Sequence, residues 1–124
     1  MNTNRPKNLD LRTIRLPLPG VVSILHRVSG ALLFLVGIPV LLTRLEQGLH
    51  PANPSWMVRH VPAALMWALL WLLTWAFCHH LCAGMRFLLL DIHRGVERQR
   101  ARQSSVAVLL ASLLLSVLMG IWLW

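Results

Sequence analysis

Three long apolar stretches, separated by short polar segments, make up most of this chain. They cover roughly residues 21–45, 60–90 and 104–124. Each is long enough for one helix to cross a bilayer core, which takes about 20 mostly apolar residues. The pattern predicts an all-α membrane protein with three transmembrane helices, in which a 1–20 N-terminal segment precedes a 21–124 membrane domain.

Prolines and glycines indicate where these helices should begin, bend and end. The sequence "RLPLPG" favours extended or turning backbone, so the first helix is predicted to begin near Val21. Pro39 should kink that helix near its far end. The stretch "EQGLHPANPSW" is rich in turn residues and is predicted to form an irregular connector between the first two helices.

The composition excludes a self-sufficient soluble enzyme. Of the 124 residues, 56% are hydrophobic and 13% are charged, and three spans leave too little chain for a separate catalytic domain. We therefore expect a subunit without catalytic residues of its own, whose partners act on any water-soluble substrate. The N-terminus lacks the small-residue cleavage site of a signal peptide, so it is expected to be retained.

The distribution of basic residues predicts how the helices are oriented. The formal net charge is +8. Most of the cations lie before the first helix and between the second and third: Arg5, Lys7, Arg12, Arg15, Arg94, Arg98, Arg100 and Arg102. Lys and Arg accumulate on the cytoplasmic side, which predicts a cytoplasmic N-terminus and a periplasmic C-terminus in a multi-pass protein of the bacterial inner (cytoplasmic) membrane. Because these cations flank apolar spans, nucleic acid is not an expected partner.

One face of the predicted first helix carries polar groups at the membrane edge. Positions i, i+3, i+4 and i+7 of this face are Ser23, His26, Arg27 and Gly30, and Gly37 extends it by seven residues. Such a face could receive a flat, bulky group, with hydrogen-bond donors at one end. Alternatively, Arg27 only extends its side chain towards the lipid headgroups.

The second helix places a histidine deep in the membrane. In "HHLCAGMRFLLLD", one face carries His80, Gly84, Phe87 and Asp91. If Asp91 marks the cytoplasmic edge, His80 lies roughly 16 Å deep, about half of a hydrocarbon core. A histidine there can form a hydrogen bond within the bundle, join a proton path or bind a metal, and haem iron suits neutral imidazole. The residues alone leave these alternatives open.

Two further sets of small residues indicate packing. The third helix has Ser112, Ser116 and Gly120 at four-residue spacing, which lets helices approach closely. Cys78 and Cys82 lie one helical turn apart in an apolar run. Zinc would need more soft ligands than this stretch offers, so both cysteines are interpreted as small buried residues.

Together, "RPKNLDLRTIRLPLPGVVSILHRVSG" and "HHLCAGMRFLLLD", in this order, resemble the cytochrome b membrane-anchor subunits of succinate dehydrogenase, respiratory complex II. The resemblance covers nearly the whole chain. It implies an anchor subunit of succinate:ubiquinone oxidoreductase, embedded in membrane lipid, with no dicarboxylate-oxidising site on this chain. The implied partners are a flavoprotein subunit, an iron–sulfur subunit and a second small haem-ligating anchor subunit. The implied cofactor is haem b, shared with that second anchor subunit, and the implied substrate is ubiquinone.

The resemblance also implies roles for individual residues. His80, which precedes x3-Gly, corresponds to the axial ligand of the haem iron. Ser23 and Arg27 correspond to residues at the ubiquinone site. His26, helped by Arg27, corresponds to a group that balances the negative charge of the haem propionates.

The chain departs from the family pattern at two positions. Phe87 stands where many members have a histidine after the arginine of GxR, which removes any role assigned to that histidine. His79 lies directly beside His80, and the x3-Gly spacing favours His80 as the ligand.

Two alternative functions remain at this point. The first is a haem-free structural anchor of a related respiratory complex. The second is a small transporter, although such a protein usually shows a buried carboxylate or a polar path across its spans.

Overall fold

The computed structural model describes residues 16–52, 55 and 59–123. Its helical elements are α1 (Leu18–Leu32), a π-helical segment (Leu33–Gly37), α2 (Ile38–Leu49), α3 (Ala63–Asp91) and α4 (Arg98–Leu123). The first three form one continuous helix, and this helix, α3 and α4 are each long and apolar enough to cross a membrane. No strand occurs in the described ranges, so the predicted all-α fold with three spanning helices is confirmed. Residues 1–15 of the predicted N-terminal segment lie outside the described residues.

The start of α1 differs from the prediction. The helix begins at Leu18 instead of near Val21, with Pro17 as an extended N-cap (φ −66°, ψ 150°) and Pro19 in the first turn. A proline is tolerated there because the first N–H groups of a helix have no partner within it. Pro19 and Gly20 therefore belong to the helix that they were predicted to precede.

A π-helical segment ends two residues before Pro39, where the sequence predicts a kink. The Ile38 N–H donates to the Leu33 carbonyl, five residues back. Proline lacks an N–H, and its ring clashes with the preceding turn of a regular α-helix. A widened turn removes that clash and leaves the backbone helical on both sides.

The first span is longer than predicted at its far end. α2 continues to Leu49, so residues 46–49 of the predicted irregular connector are helical and that part of the prediction was wrong. The helix ends at His50, whose backbone (φ −130°, ψ 67°) is no longer helical. Helical backbone is disfavoured for a residue that precedes a proline, here Pro51. Pro54 and Trp56 of this connector lie outside the described residues.

α3 matches its predicted range closely and ends in a specific turn. The Arg94 N–H donates to the Leu89 carbonyl at 3.0 Å, and the His93 N–H donates to the Leu90 carbonyl at 2.9 Å. This is the Schellman pattern, whose turning residue adopts left-handed backbone and is usually glycine. Here that residue is His93, with φ 60°.

α4 begins earlier than predicted. Gly95 also has left-handed backbone (φ 78°), and α4 starts at Arg98 instead of residue 104. The polar stretch "RQRARQ" precedes the predicted third span because it is not apolar. Arg, Gln and Ala are nevertheless good helix formers, so the helix extends beyond the apolar run.

All three spans pack against one another, and α3 makes the most extensive contacts, with α4 and with α1. α4 buries one row of mainly small residues: Ser105, Val108, Ser112, Ser116 and Gly120. Gly120 lies so close to the Trp71 indole that a Cβ at this position would clash. The predicted packing role of the small residues on the third span is therefore confirmed.

Candidate functional site

Two histidine rings from different spans are stacked at the junction of α1 and α3. The rings of His26 and His80 are almost parallel, with centroids 4.1 Å apart and planes at 9°. The ring of Phe87 lies 5.1 Å from that of His26 at a tilt of 55°. The structure therefore brings His26 and His80 together, although 54 residues separate them in the chain.

Hydrogen bonds fix the orientation of the His80 ring. His80 Nδ1 lies 3.0 Å from the His26 backbone carbonyl oxygen and 3.3 Å from Ser29 Oγ. A carbonyl oxygen can only accept, so His80 Nδ1 carries the proton and donates it. In the neutral ring, Nε2 is then the nitrogen with a free lone pair. The His80 side chain is only partly buried.

Two glycines lie against these rings, and Gly30 makes room for that of His80. A Cβ on Gly30 would lie 2.7 Å from His80 Cε1, and a Cβ on Gly84 would lie 3.5 Å from His26 Nε2. Gly30 thus leaves space for a flat group, as its spacing suggested, and the flat group in contact with it is an imidazole of this chain. Gly37 also lies against α3, but its Cβ position is 3.6 Å from Leu73 among aliphatic side chains, so the polar part of this face ends before it.

His79 occupies a different environment from its neighbour. It is fully buried, with Nδ1 3.4 Å from Ser112 Oγ and its ring 5.4 Å from that of Trp75. The backbone of Val22 interacts with the imidazole ring. Within the described part of the chain, His79 Nε2 has no hydrogen-bond partner of ordinary geometry. Protein surrounds His79 on every side, whereas His80 reaches the surface of the chain.

Ser23 and Arg27 lie one helical turn apart on α1. Ser23 is partly buried and Arg27 is exposed. α1 and α3 are antiparallel, and His26 lies opposite His80. Ser23 therefore lies nearer than His80 to the end of the bundle that carries the α3–α4 turn, and Arg27 lies at about the level of His80. Their hydroxyl and guanidinium donors are therefore available to a group that approaches α1 from outside this chain.

Sequence reasoning missed two polar residues of this half of the bundle. Ser29 is 1% exposed, and its hydroxyl donates to the His26 carbonyl at 2.9 Å. Arg86 is 5% exposed and contacts α4 through Ser104. The sequence motifs contained both residues, but only the packing of the helices reveals what they touch.

The two sequence motifs agree with comparisons to known proteins. The family profile of the succinate dehydrogenase/fumarate reductase transmembrane subunit matches residues 1–119. The chain is 32% identical over 126 residues to a succinate dehydrogenase cytochrome b556 subunit of Coxiella burnetii, which covers 100% of both chains. Its identity to the subunit of that name in Paracoccus denitrificans is 34% over 124 residues, with 93% of this chain and 88% of the relative covered. The subunit of that name in Rickettsia typhi is 28% identical over 117 residues, with 94% of this chain and 91% of the relative covered. The predicted resemblance is confirmed, and this chain belongs to the family of succinate dehydrogenase/fumarate reductase transmembrane subunits.

Proposed function

We propose that this membrane-anchor subunit of succinate dehydrogenase holds one axial position of a haem b and forms part of the site at which ubiquinone is reduced. The observation that carries the haem proposal is the hydrogen bond from His80 Nδ1 to the His26 carbonyl. The relatives named cytochrome b556 subunits support the same cofactor. Membership of this family leaves no support for the transporter alternative.

The residues around His80 fit a haem ligand. A histidine that binds a metal through one ring nitrogen usually donates from the other to a carbonyl or carboxylate, which fixes the ring and increases its basicity. His80 has this arrangement, with Nδ1 held by a carbonyl and with Gly30 removing the atom that would block its ring. Haem b, when bound, supplies a one-electron redox centre within the membrane.

His80 supplies one axial position in this proposal, and the family resemblance implies that the second ligand comes from another chain. His80 lies at the surface of the chain, as a ligand shared between two subunits must. We assign the second axial position to the second small anchor subunit.

The carboxylates of the haem propionates need positive partners in a membrane. His26 and Arg27 follow one another on α1, and the His26 ring is in contact with that of His80. An arginine offers a planar fork of donors that suits carboxylates. We therefore assign His26 and Arg27 to the propionate environment.

Ser23 and Arg27 are suited to hold a quinone oxygen. Reduction of ubiquinone places negative charge on its oxygens before protons arrive, and donors fixed in advance stabilise that charge. The exposed Arg27 guanidinium and the partly buried Ser23 hydroxyl lie one turn apart on α1. Arg27 would then serve both the quinone and the propionate edge.

The remaining chemistry belongs to partner chains. In this proposal a flavoprotein subunit oxidises succinate, an iron–sulfur subunit carries the electrons to the membrane, and this chain contributes no dicarboxylate site. Electrons and protons reach ubiquinone from the cytoplasmic face of a bacterial inner membrane. The orientation can be tested with reporter fusions, which should indicate cytoplasm after Arg102 and periplasm near Pro51.

The haem proposal is tested by exchanging each of the two neighbouring histidines. His80→Leu should abolish or strongly alter the low-spin, bis-histidine visible spectrum of the purified complex, because no neighbour on that face supplies an imidazole. His79→Leu is the matched control and should keep the spectrum, since His79 is enclosed by its own chain.

Each contrary outcome has a defined meaning. If His79→Leu removes the spectrum and His80→Leu does not, the ligand is His79 and the assignment of His80 is wrong. If the complex shows no b-type absorption before any substitution, the chain is a haem-free structural anchor.

A further inference from the structure

Arg86 is a buried cation whose recorded partners are all neutral. It is 5% exposed, although it lies near the end of a spanning helix. Its Nε donates to Ser104 Oγ at 2.9 Å, and its Nη2 donates to the Ala101 carbonyl at 3.3 Å. Its Nη1 is buried and has no partner among the described residues. A guanidinium in this setting is costly unless an anion accompanies it.

A basic pocket adjoins this guanidinium between α3 and α4. The pocket has a volume of about 340 Å³, and its lining includes Arg86, Arg94, Arg100, Ser104, Leu89 and Leu90. No acidic side chain is among the described residues that line it. Arg100 pairs with the exposed Glu97 at 3.2 Å, which partly compensates the charge of Arg100. The charge of Arg86 has no such carboxylate partner among the described residues.

The turn after α3 helps to build this pocket. His93 and Gly95 both have left-handed backbone, and the residue between them, Arg94, lines the pocket beside Arg86. The three arginines thus come from α3, from the turn and from α4. Three cations, one of them buried with an unpartnered N–H group, indicate a site for an anion.

We propose that this pocket binds the phosphodiester of an anionic phospholipid from the adjacent leaflet. Arg86 lies five residues before Asp91, the last residue of α3, which is about 7.5 Å along the helix axis. The Arg86 guanidinium reaches Ala101 in the first turn of α4, so the charge lies nearer than its own Cα to the membrane edge that Asp91 marks. Basic pockets between spanning helices on the cytoplasmic side are typical lipid headgroup sites.

Apolar surface beside the pocket favours a lipid over a free anion. Leu89 lines the pocket and is 52% exposed, and the neighbouring Leu88 is 67% exposed. A phosphodiester on the arginines would leave its acyl chains along these leucines, whereas free phosphate gains nothing from them. The proposal does not depend on the haem or quinone assignments.

Lipid retention by the intact complex tests this proposal. The purified complex is stripped with detergent and then supplied with phosphatidylglycerol or with phosphatidylcholine of the same acyl chains, and bound lipid is counted by native mass spectrometry. We expect preferential retention of phosphatidylglycerol, and a loss of about tenfold in that preference in Arg86→Gln. Arg98→Gln is the matched control, because Arg98 lines a different pocket, next to Pro17 and Pro19, and should retain the preference.

Three results would overturn the proposal. Equal retention of the two lipids would remove the anion preference. Displacement of phosphatidylglycerol by millimolar inorganic phosphate would assign the pocket to a free anion. Release of the iron–sulfur subunit by Arg86→Gln, with unchanged lipid retention, would assign it to a carboxylate of that partner.

A second variant covers the case in which Arg86→Gln fails to assemble. The double substitution Arg94→Gln and Arg100→Gln leaves the buried residue in place and alters only the rim of the pocket. It should lower phosphatidylglycerol retention in an assembled complex, and unchanged retention would contradict the proposal. The b-type spectrum should be the same in every variant, so a failure of this inference is distinguishable from a failure of the haem assignment.

Discussion

The helix that runs from α1 through α2 meets α3 in two junctions of opposite character. The polar junction consists of His26, Ser29 and Gly30 on α1 with His80 and Gly84 on α3, and it contains stacked rings and directed hydrogen bonds. The aliphatic junction lies nearer the connector between α2 and α3, and it consists of Val40, Met66, Leu70 and Leu73. Both junctions hold the same two spans together.

The difference between the two junctions indicates which of them depends on precise geometry. Within a bilayer, apolar side chains lose little by exchanging a helix for lipid, so aliphatic contacts contribute mainly through close packing. The polar junction is different, because an imidazole that is displaced loses a hydrogen bond that lipid cannot replace. We therefore expect small changes at the polar junction to affect function, and changes at the aliphatic junction to affect mainly stability.

The largest contrast should come from one methyl group placed at each junction. Gly30→Ala would put a Cβ 2.7 Å from His80 Cε1, which forces the ring to move, whereas Gly37→Ala meets only ordinary contacts at 3.5 and 3.6 Å. We expect Gly30→Ala to lose or strongly reduce b-type absorption, and Gly37→Ala to keep it. The measurement is the haem-to-protein ratio of the purified complex, and equal ratios in the two variants would contradict the distinction between the junctions.

The second largest effect should appear at the exposed edge of the polar junction. Arg27→Lys and Ser23→Ala should each slow quinone reduction by about 30- to 1,000-fold, because a lost transition-state hydrogen bond costs about 2 to 4 kcal/mol. Succinate oxidation with an artificial, flavin-side acceptor should be unchanged. Arg44→Lys, at an exposed position of α2, is the control. If Arg27→Lys is as silent as Arg44→Lys in assembled complex, Arg27 only reaches for headgroups.

A truncation at the aliphatic junction should lower stability without affecting the haem. Leu73→Ala removes a side chain that is 8% exposed, and we expect a loss of about 2 kcal/mol in the free energy of unfolding. Leu72→Ala, at a position that is 45% exposed, should have a smaller effect. Thermal denaturation measures both, and a visible spectrum altered by Leu73→Ala would show that the junctions are not independent.

The smallest effect should come from Ser29→Ala. The His26 carbonyl still accepts from His80 Nδ1 in this variant, but two contacts of Ser29 Oγ are lost: the 2.9 Å hydrogen bond to the His26 carbonyl and the 3.3 Å contact to His80 Nδ1. Only the second acts directly on the ligand. A net contribution of about 1 kcal/mol is typical of such a hydrogen bond. It corresponds to about 40 mV for a one-electron couple. A less basic ligand should raise the midpoint potential of the haem, which redox titration measures, and a lowered potential would contradict this role of Ser29.

The fold could be predicted from sequence to the level of its spans. Apolar runs long enough for a bilayer gave three helices, and the small residues of the third span correctly indicated packing. Hydropathy could not predict the ends of the helices. The polar stretch "RQRARQ" and the prolines on either side of Leu18 are not apolar enough to be part of a predicted span, but both are compatible with helical backbone. Local backbone chemistry decides these ends, and hydropathy does not report it.

The candidate site could be predicted only in part for a different reason. Helical spacing predicts that Ser23, His26 and Arg27 share a face, and the x3-Gly motif of the resembling family favours His80 over His79 as the proposed ligand. Spacing within one helix cannot reveal which residue of another helix lies opposite. The stacking of His26 on His80 and the contact of Arg86 with Ser104 both depend on how antiparallel helices align.

The π-helical segment explains how one span can present both junctions. Its wider turn contains an additional residue, which rotates everything beyond it by about 100° relative to an uninterrupted α-helix. The segment therefore acts as a phase shift between two independent repeats. The helical repeat that places side chains before Leu33 on one face does not continue unchanged to the side chains after Gly37. Gly37, seven residues after Gly30, meets Leu73, which lies seven residues before His80, so the first span stays in contact with α3 across this segment. A one-residue deletion within residues 33–37 would bring the two repeats into phase, and the polar and aliphatic faces of this span could no longer be aligned with α3 at the same time.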